Sequence, residues 1–227
     1  MRNLILASAA TSLLLIVSCT SVQDTPVAAS GQAASAGSSR EFVARIVGDT
    51  EDVWGALFKQ MGASPYPEPR VVLFSGSTQS GCGVVRTALA PSYCAADDKV
   101  YVDVAFVDDV RTRAGRQPDF AAAYLIVHAI SRHVQRALSA AQHVQSAPPS
   151  GNPPQDDLVL SLQADCYTGV WVHFVQQRDL LEPGDLEDGL PAALLLGDPS
   201  THGANQQRLS WFNRGLAGDP EQCRTTN

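Results

Sequence analysis

The chain has 227 residues, of which 44% are hydrophobic and 17% are charged, so it is long enough for one well-buried domain with additional segments. Its formal net charge is −7, and its 16 Lys and Arg residues are scattered rather than clustered. No basic surface is therefore available to neutralise phosphates, and we expect no nucleic-acid partner.

The first residues indicate export. Arg2 gives a positive start, and residues 4–17 form an apolar run that is too short to remain in a membrane as a span. The run ends in Ile-Val-Ser-Cys, which resembles a bacterial lipobox, so residues 1–18 are the predicted signal peptide and Cys19 the lipid anchor. The alternative is an ordinary signal peptide cleaved elsewhere, with Cys19 incidental. Thr20 stands where an aspartate would favour retention in the inner membrane, so the outer membrane is preferred for a Gram-negative cell.

The segment that follows Cys19 differs in amino-acid composition from the rest of the chain. Residues 19–40 are small and polar, with almost nothing large to bury. Such a segment cannot offset the entropy of ordering, and it predicts a lipid-anchored flexible tether in front of a domain over residues 41–227.

Four further cysteines remain, namely Cys82, Cys94, Cys166 and Cys223. An even number in an exported chain predicts two disulfides, which three connectivities would allow. We favour Cys82 with Cys94, because a short loop between strand-like segments closes there, and this leaves Cys166 with Cys223. The alternative, a zinc-thiolate site, lacks any CxxC spacing.

Hydrophobic periodicity predicts an α+β fold that is mainly helical with a small β-sheet. Two β-branched runs, 71–74 and 100–106, predict two strands of one sheet. Five helices are predicted: one over about 50–61, one that begins at 118, and three over about 156–177, 184–196 and 203–215.

Seven segments, in order along the chain, together resemble a known family. They are DTEDVW (49–54), VLFSGSTQSGCG (72–83), YCAADDKVYVD (93–103), HVQ (133–135), LQADCYTGVW (162–171), LEPGDLED (181–188) and THG…QR..WF.RG (201–215). They resemble the bacterial neutral zinc metallopeptidases. The resemblance implies a zincin-like domain, in which one helix carries HExxH and the next helix supplies a third zinc ligand.

The positions that match the zinc site hold other residues. Aligned on the HVQ segment, the first histidine is His128, but Ala129 stands for the glutamate, Arg132 for the second histidine and Ser161 for the third ligand. Asp165, which the resemblance implies to support a histidine ligand, is retained. A catalytic zinc needs about three protein ligands and an open position, so we expect no zinc cofactor and no catalytic residue here.

The substituted residues also oppose the chemistry. Arg132 carries a fixed positive charge that would repel a dication. Ala129 has no carboxylate to accept a proton, and loss of a general base costs about 10²- to 10⁴-fold in rate. We expect Arg132 to fill the vacated site and pair with Asp165; the alternative is that Arg132 points to solvent while Asp165 accepts local backbone bonds.

Two functions follow as hypotheses. The favoured one is a catalytically inactive envelope lipoprotein that binds a peptide or protein in the remnant cleft, by pairing along the strand at 100–106. The alternative is an active zinc metallopeptidase with relocated ligands, drawn from His128, His133, Asp165 and His202. His202 is also a candidate substrate contact, or else a residue that caps or packs locally at a helix start.

Overall fold

Helices make up most of the computed structural model, which describes residues 28–86, 90–113, 117–141, 153–195 and 204–224. The helices are α1 (Ala28–Gln60), α2 (Val104–Arg113), α3 (Pro118–Ala141), α4 (Pro153–Gln177), α5 (Leu190–Leu195) and α6 (Asn205–Gly215). A π-helical turn (Asp185–Gly189) precedes α5, and a 3₁₀ turn (Pro220–Cys223) follows α6. The mainly helical α+β prediction is confirmed. None of the helices in these ranges is long and apolar enough to cross a bilayer.

The strands are short. They are β1 (Arg70–Phe74), β2 (Ser77–Ser80), β3 (Gly83–Arg86), β4 (Ser92–Cys94) and β5 (Lys99–Asp103). One sheet has the order β1-β5-β4, with β1 parallel and β4 antiparallel to β5, while β2 and β3 form a separate antiparallel hairpin. The two predicted strands therefore do lie side by side in one sheet.

The first helix is longer than its sequence pattern predicts. It begins at Ala28 rather than near residue 50, so residues 28–40, predicted to belong to a flexible tether, are helical. This stretch is rich in alanine, the strongest helix former, and extending a helix whose later turns are packed costs little. Ser39 is fully buried, and its hydroxyl donates a 3.3 Å hydrogen bond to Asp108 of α2.

β5 is the central strand, which corrects the predicted mode of peptide binding. It bonds to β1 on one side and β4 on the other, and residues 100–103 are all buried. A strand flanked on both sides has no free edge, so a peptide cannot pair with it. The outer strands of the described sheet are β1 and β4. The predicted strand is also too long, because α2 begins at Val104, where the Asp103 carboxylate accepts a 3.0 Å bond from the Ala105 N–H.

Two disulfides staple the domain, with the favoured connectivity. Cys82–Cys94 ties the β2–β3 hairpin to β4, and Cys166–Cys223 ties α4 to the 3₁₀ turn. All four cysteines are thus used in disulfides, which removes the zinc-thiolate alternative. Between these staples α3 is the central helix of the core, with contacts to α1, α2, α4 and α5 and to both β4 and β5.

Candidate functional site

Four of the predicted site residues lie between α3 and α4, which run antiparallel: His128, Arg132, Ser161 and Asp165. As the residue number rises by four along α3, the residue opposite it on α4 falls by about four. The facing pairs are Tyr124 with Asp165, His128 with Ser161, and Arg132 with Asp157.

His128 is buried in this interface, and its contacts define which ring nitrogen carries a proton. Nε2 lies 3.1 Å from the backbone oxygen of Ser161 and 3.3 Å from Oδ1 of Asp165. A carbonyl oxygen only accepts, so Nε2 carries the hydrogen and donates it. A metal ion needs a lone pair on the nitrogen that it binds, so Nε2 cannot coordinate one in this arrangement.

Ser161 is fully enclosed beside His128, but the pair does not form a hydrolase triad. The Ser161 hydroxyl lies 3.5 Å from the same Nε2 that faces Asp165. In a triad the acid accepts a hydrogen bond from Nδ1–H, which leaves the lone pair on Nε2 to take the proton of the serine hydroxyl. With both partners on one nitrogen, His128 cannot activate Ser161 in this way.

Asp165 pairs with Arg208 of α6, and the predicted pair with Arg132 is wrong. Arg208 donates from Nε to Oδ2 and from Nη2 to Oδ1, both at 3.0 Å, and from Nη1 to the Leu194 carbonyl at 3.0 Å. The Tyr124 hydroxyl donates a third hydrogen bond to the carboxylate. Asp165 and Arg208 are 0% and 1% exposed, so this is a sealed network.

The electrostatics of this network favour the hydrogen-bond donor forms of Tyr124 and Arg208. Burial, reinforced by the charge of Asp165, raises the pKa of Tyr124 well above its ordinary value, so the phenol stays a donor. Burial disfavours the charged guanidinium of Arg208, but its bonds to Asp165 outweigh burial and raise its pKa. Burial raises the pKa of Asp165, while the bonds from Arg208 and Tyr124 oppose that rise.

Arg132 lies one turn after His128 on α3. Because α3 and α4 are antiparallel, Arg132 faces Asp157, which precedes Asp165 on α4. Its Nη2 is 3.8 Å from Oδ1 of Asp157, which is longer than a hydrogen bond. The Arg132 side chain is 24% exposed, so it neither fills the buried network nor extends freely into solvent. Burial lowers the pKa of its guanidinium, and Asp157 opposes that effect.

The relocated ligand set is not brought together by the described residues. His133 faces away from His128, with Nδ1 3.0 Å from Asp98 Oδ1 and Nε2 2.7 Å from the Pro67 carbonyl. One ring nitrogen of His133 is thus engaged by the β4–β5 turn, and the other by the segment between α1 and β1. His202, the remaining candidate, lies outside the described residues.

Nearly the whole chain matches one protein family. Residues 4–226 match the family described as "Putative neutral zinc metallopeptidase". The chain belongs to this family. Among its relatives, "Uncharacterized protein YpfJ" of Escherichia coli (strain K12) is 39% identical over 203 residues, which cover 82% of this chain and 70% of that protein. "Uncharacterized protein Rv2575" of Mycobacterium tuberculosis is 35% identical over 190 residues, which cover 70% of this chain and 63% of that protein. No solved structure matches the chain.

The family name implies a zinc ion, and the residues present do not fit one. The three positions that the sequence resemblance aligns with zinc ligands hold an imidazole whose Nε2 carries a hydrogen (His128), a guanidinium (Arg132) and a hydroxyl (Ser161). Zinc in proteins takes thiolate, neutral imidazole or carboxylate ligands, so at most one of the three side chains is of a suitable type. Within the described ranges, no three His, Cys, Asp or Glu side chains form a group that could hold a metal ion. Ala129, which the resemblance aligns with the catalytic glutamate of the family, is buried in the core.

Sequence reasoning missed Arg208, which compensates the carboxylate at the centre of the site. Arg208 is the arginine of the QR pair in the segment THG…QR..WF.RG, so the resemblance did contain a signal. Its partner Asp165 precedes it by 43 residues, and only the packing of α6 on α4 brings them together.

Proposed function

We propose that this chain is a catalytically inactive member of the neutral zinc metallopeptidase family, with a zincin-like fold, that binds a peptide or protein through the remnant cleft. One observation carries the proposal. The Nε2 atom of His128, which faces the third-ligand position, donates to the Ser161 carbonyl instead of offering a lone pair to a metal.

Two further losses support the same conclusion. Arg132 brings a cation to the position of a second ligand, and Ala129 removes the base that would activate water. Peptide capture is the use that such a cleft retains when its metal chemistry is gone. Because β5 is enclosed, the outer strand β4 replaces it as our proposed pairing edge.

Restoring the ligands tests the proposal. We expect the unaltered chain to hold no stoichiometric zinc after dialysis, as measured by elemental mass spectrometry. The variant Arg132→His with Ser161→Glu should bind about one zinc per chain, because it supplies three ligands of the family's type. The matched control, Arg136→His with Ser161→Glu, places the imidazole one turn further along α3 and should bind none.

Activity separates the proposal from its alternative. We expect no peptide hydrolysis by the unaltered chain, whether or not a chelator is present. Stoichiometric zinc on the unaltered chain, together with chelator-sensitive proteolysis, would instead establish an active enzyme with relocated ligands and refute our proposal.

We further propose that the protein is exported and anchored to the cell envelope by a lipid on Cys19. The apolar run before Cys19 supports this, and so do two disulfides, which persist in oxidising compartments. Palmitate labelling should be lost in Cys19→Ala and kept in the control Ser21→Ala. Label that survives Cys19→Ala would contradict the anchor.

A further inference from the structure

Arg132 has hydrogen-bonding capacity that its surroundings leave unused. A guanidinium carries five N–H donors in a planar fork. Arg132 makes no hydrogen bond within the usual donor–acceptor distance to another described residue, and the carboxylate of Asp157 is 3.8 Å away. Asp157 is itself 67% exposed, so water competes for it.

The neighbouring basic side chains on α3 have other partners. Arg136 donates from Nη1 to the Ala95 carbonyl at 2.8 Å, and His133 lies between Asp98 and Pro67. Arg132 is thus a half-buried cation whose fork remains available to a ligand. It also lies near the side chain of Tyr93 in the outer strand β4.

We propose that Arg132 is a receptor for the C-terminal carboxylate of a captured peptide. The inference rests on the proposed function and adds the chemistry of the ligand. A carboxylate matches the guanidinium fork with two parallel N–H···O bonds, whereas a single carbonyl oxygen inside a peptide uses only part of it.

The short length of β4 favours recognition of a chain end. This strand has three residues, so a peptide paired beside it would gain few main-chain hydrogen bonds. A charged contact at the end of the peptide would add affinity and fix its register. A phosphate is a poorer fit, because its larger negative charge is opposed more strongly by Asp157 and by the chain's net charge of −7.

The test uses two matched probes and the disulfide-bonded protein. A pool of N-acetylated hexapeptides, randomised at every position, is made once as free acids and once as isotope-labelled carboxamides. The two pools are mixed in equal amounts and incubated with the protein. Mass spectrometry then gives the ratio of acid to amide in the fraction that the protein retains.

We expect the unaltered chain to retain free acids roughly tenfold over carboxamides, as for one charge-assisted hydrogen-bonded pair at a partly exposed site. Arg132→Ala should lower this ratio to about one while leaving amide binding within about twofold. Arg132→Lys should keep only part of the preference, because it retains the charge without the fork. Arg136→Ala, the matched control on the same helix, should keep all of it.

The remaining outcomes overturn the inference in distinguishable ways. Equal retention of both pools by the unaltered chain removes the carboxylate receptor and leaves peptide capture standing. Retention of neither pool removes both proposals. A preference that survives Arg132→Ala, or one that inorganic phosphate abolishes at the peptide concentration, assigns the effect to another group or to a general anion site.

Discussion

Arg208→Met tests whether the buried network holds the domain together. The substitution keeps an unbranched apolar stem but removes both 3.0 Å bonds to Asp165 and the bond to Leu194. It leaves a carboxylate that is 0% exposed without its cation. Breaking a buried pair by removing one partner costs about 3–5 kcal/mol, a large share of the ~5–15 kcal/mol by which a domain is stable.

The loss should depend on pH, with a definite sign. In the Arg208→Met variant, burial raises the pKa of Asp165 without the opposing guanidinium. A carboxyl group whose folded pKa exceeds its unfolded value contributes stability below the unfolded pKa, and this is lost as pH rises through the folded pKa. The deficit should therefore be small near pH 4 and grow towards pH 7, by up to about 1.4 kcal/mol per pH unit for one proton.

Urea unfolding followed by circular dichroism, with disulfides intact, measures these free energies. Adding Asp165→Asn to Arg208→Met should recover part of the loss at pH 7, because the unpaired charge is gone. The control Arg113→Met removes a side chain that is 79% exposed and should change stability by less than about 0.5 kcal/mol. A deficit below about 1 kcal/mol at pH 7, or one that does not vary with pH, would refute the reasoning.

Three other changes should have measurable effects on the free energy of unfolding. Replacing both cysteines of the Cys166–Cys223 disulfide by serine should cost about 4 kcal/mol, and the same change at Cys82–Cys94 about 3 kcal/mol. The costs differ because the paired cysteines are 57 and 12 residues apart in sequence. The reverse order in urea unfolding would contradict this. Gly215→Ala should cost about 3 kcal/mol or more, because its new Cβ would lie 1.9 Å from the Cys166 carbonyl oxygen. In the control Gly55→Ala, the new Cβ meets nothing within 4 Å, and stability should rise by about 0.5–1 kcal/mol. Tyr124→Phe should cost about 1–3 kcal/mol by removing a buried bond to Asp165, and thermal unfolding unchanged from the parent would count against that role.

The resemblance located the centre of the site but not its charge balance. His128 does meet both Ser161 and Asp165, as the family pattern implies. The cation beside Asp165 could not be derived from spacing along α3 and α4, because it comes from a third helix. An arginine in a polar helical segment ordinarily predicts a solvated side chain, and only the tertiary contact reveals that Arg208 is buried.

The ends of helices were harder to predict than their existence. The residues Asp49 and Thr50 are typical of a helix start, yet α1 continues through them. The Asp49 carboxylate instead accepts a 2.6 Å bond from Trp171 and pairs with Arg178, both on or next to α4. A side chain that could cap a helix locally is thus used in a contact more than 120 residues away, which no local pattern encodes.

The position of β5 in its sheet illustrates the same limit. Alternating residues at 100–106 predict a strand with one buried face. One of the strands that flank β5 is β1, which comes earlier in the chain. The paired residues Arg70 and Lys99 are 29 residues apart, so no local pattern shows this pairing. Burial of both faces is typical of a strand enclosed in a sheet and covered by helices, and this enclosure decides that a peptide must use another edge.

The network of Asp165, Arg208 and Tyr124 has a consequence for how such a chain changes over time. Its carboxylate is balanced from α6, so the core is complete without a cation at the ligand positions. The Arg132 side chain can therefore change without leaving this carboxylate unpaired. Under our proposal, a lineage that gives up zinc binding still keeps this buried charge balance.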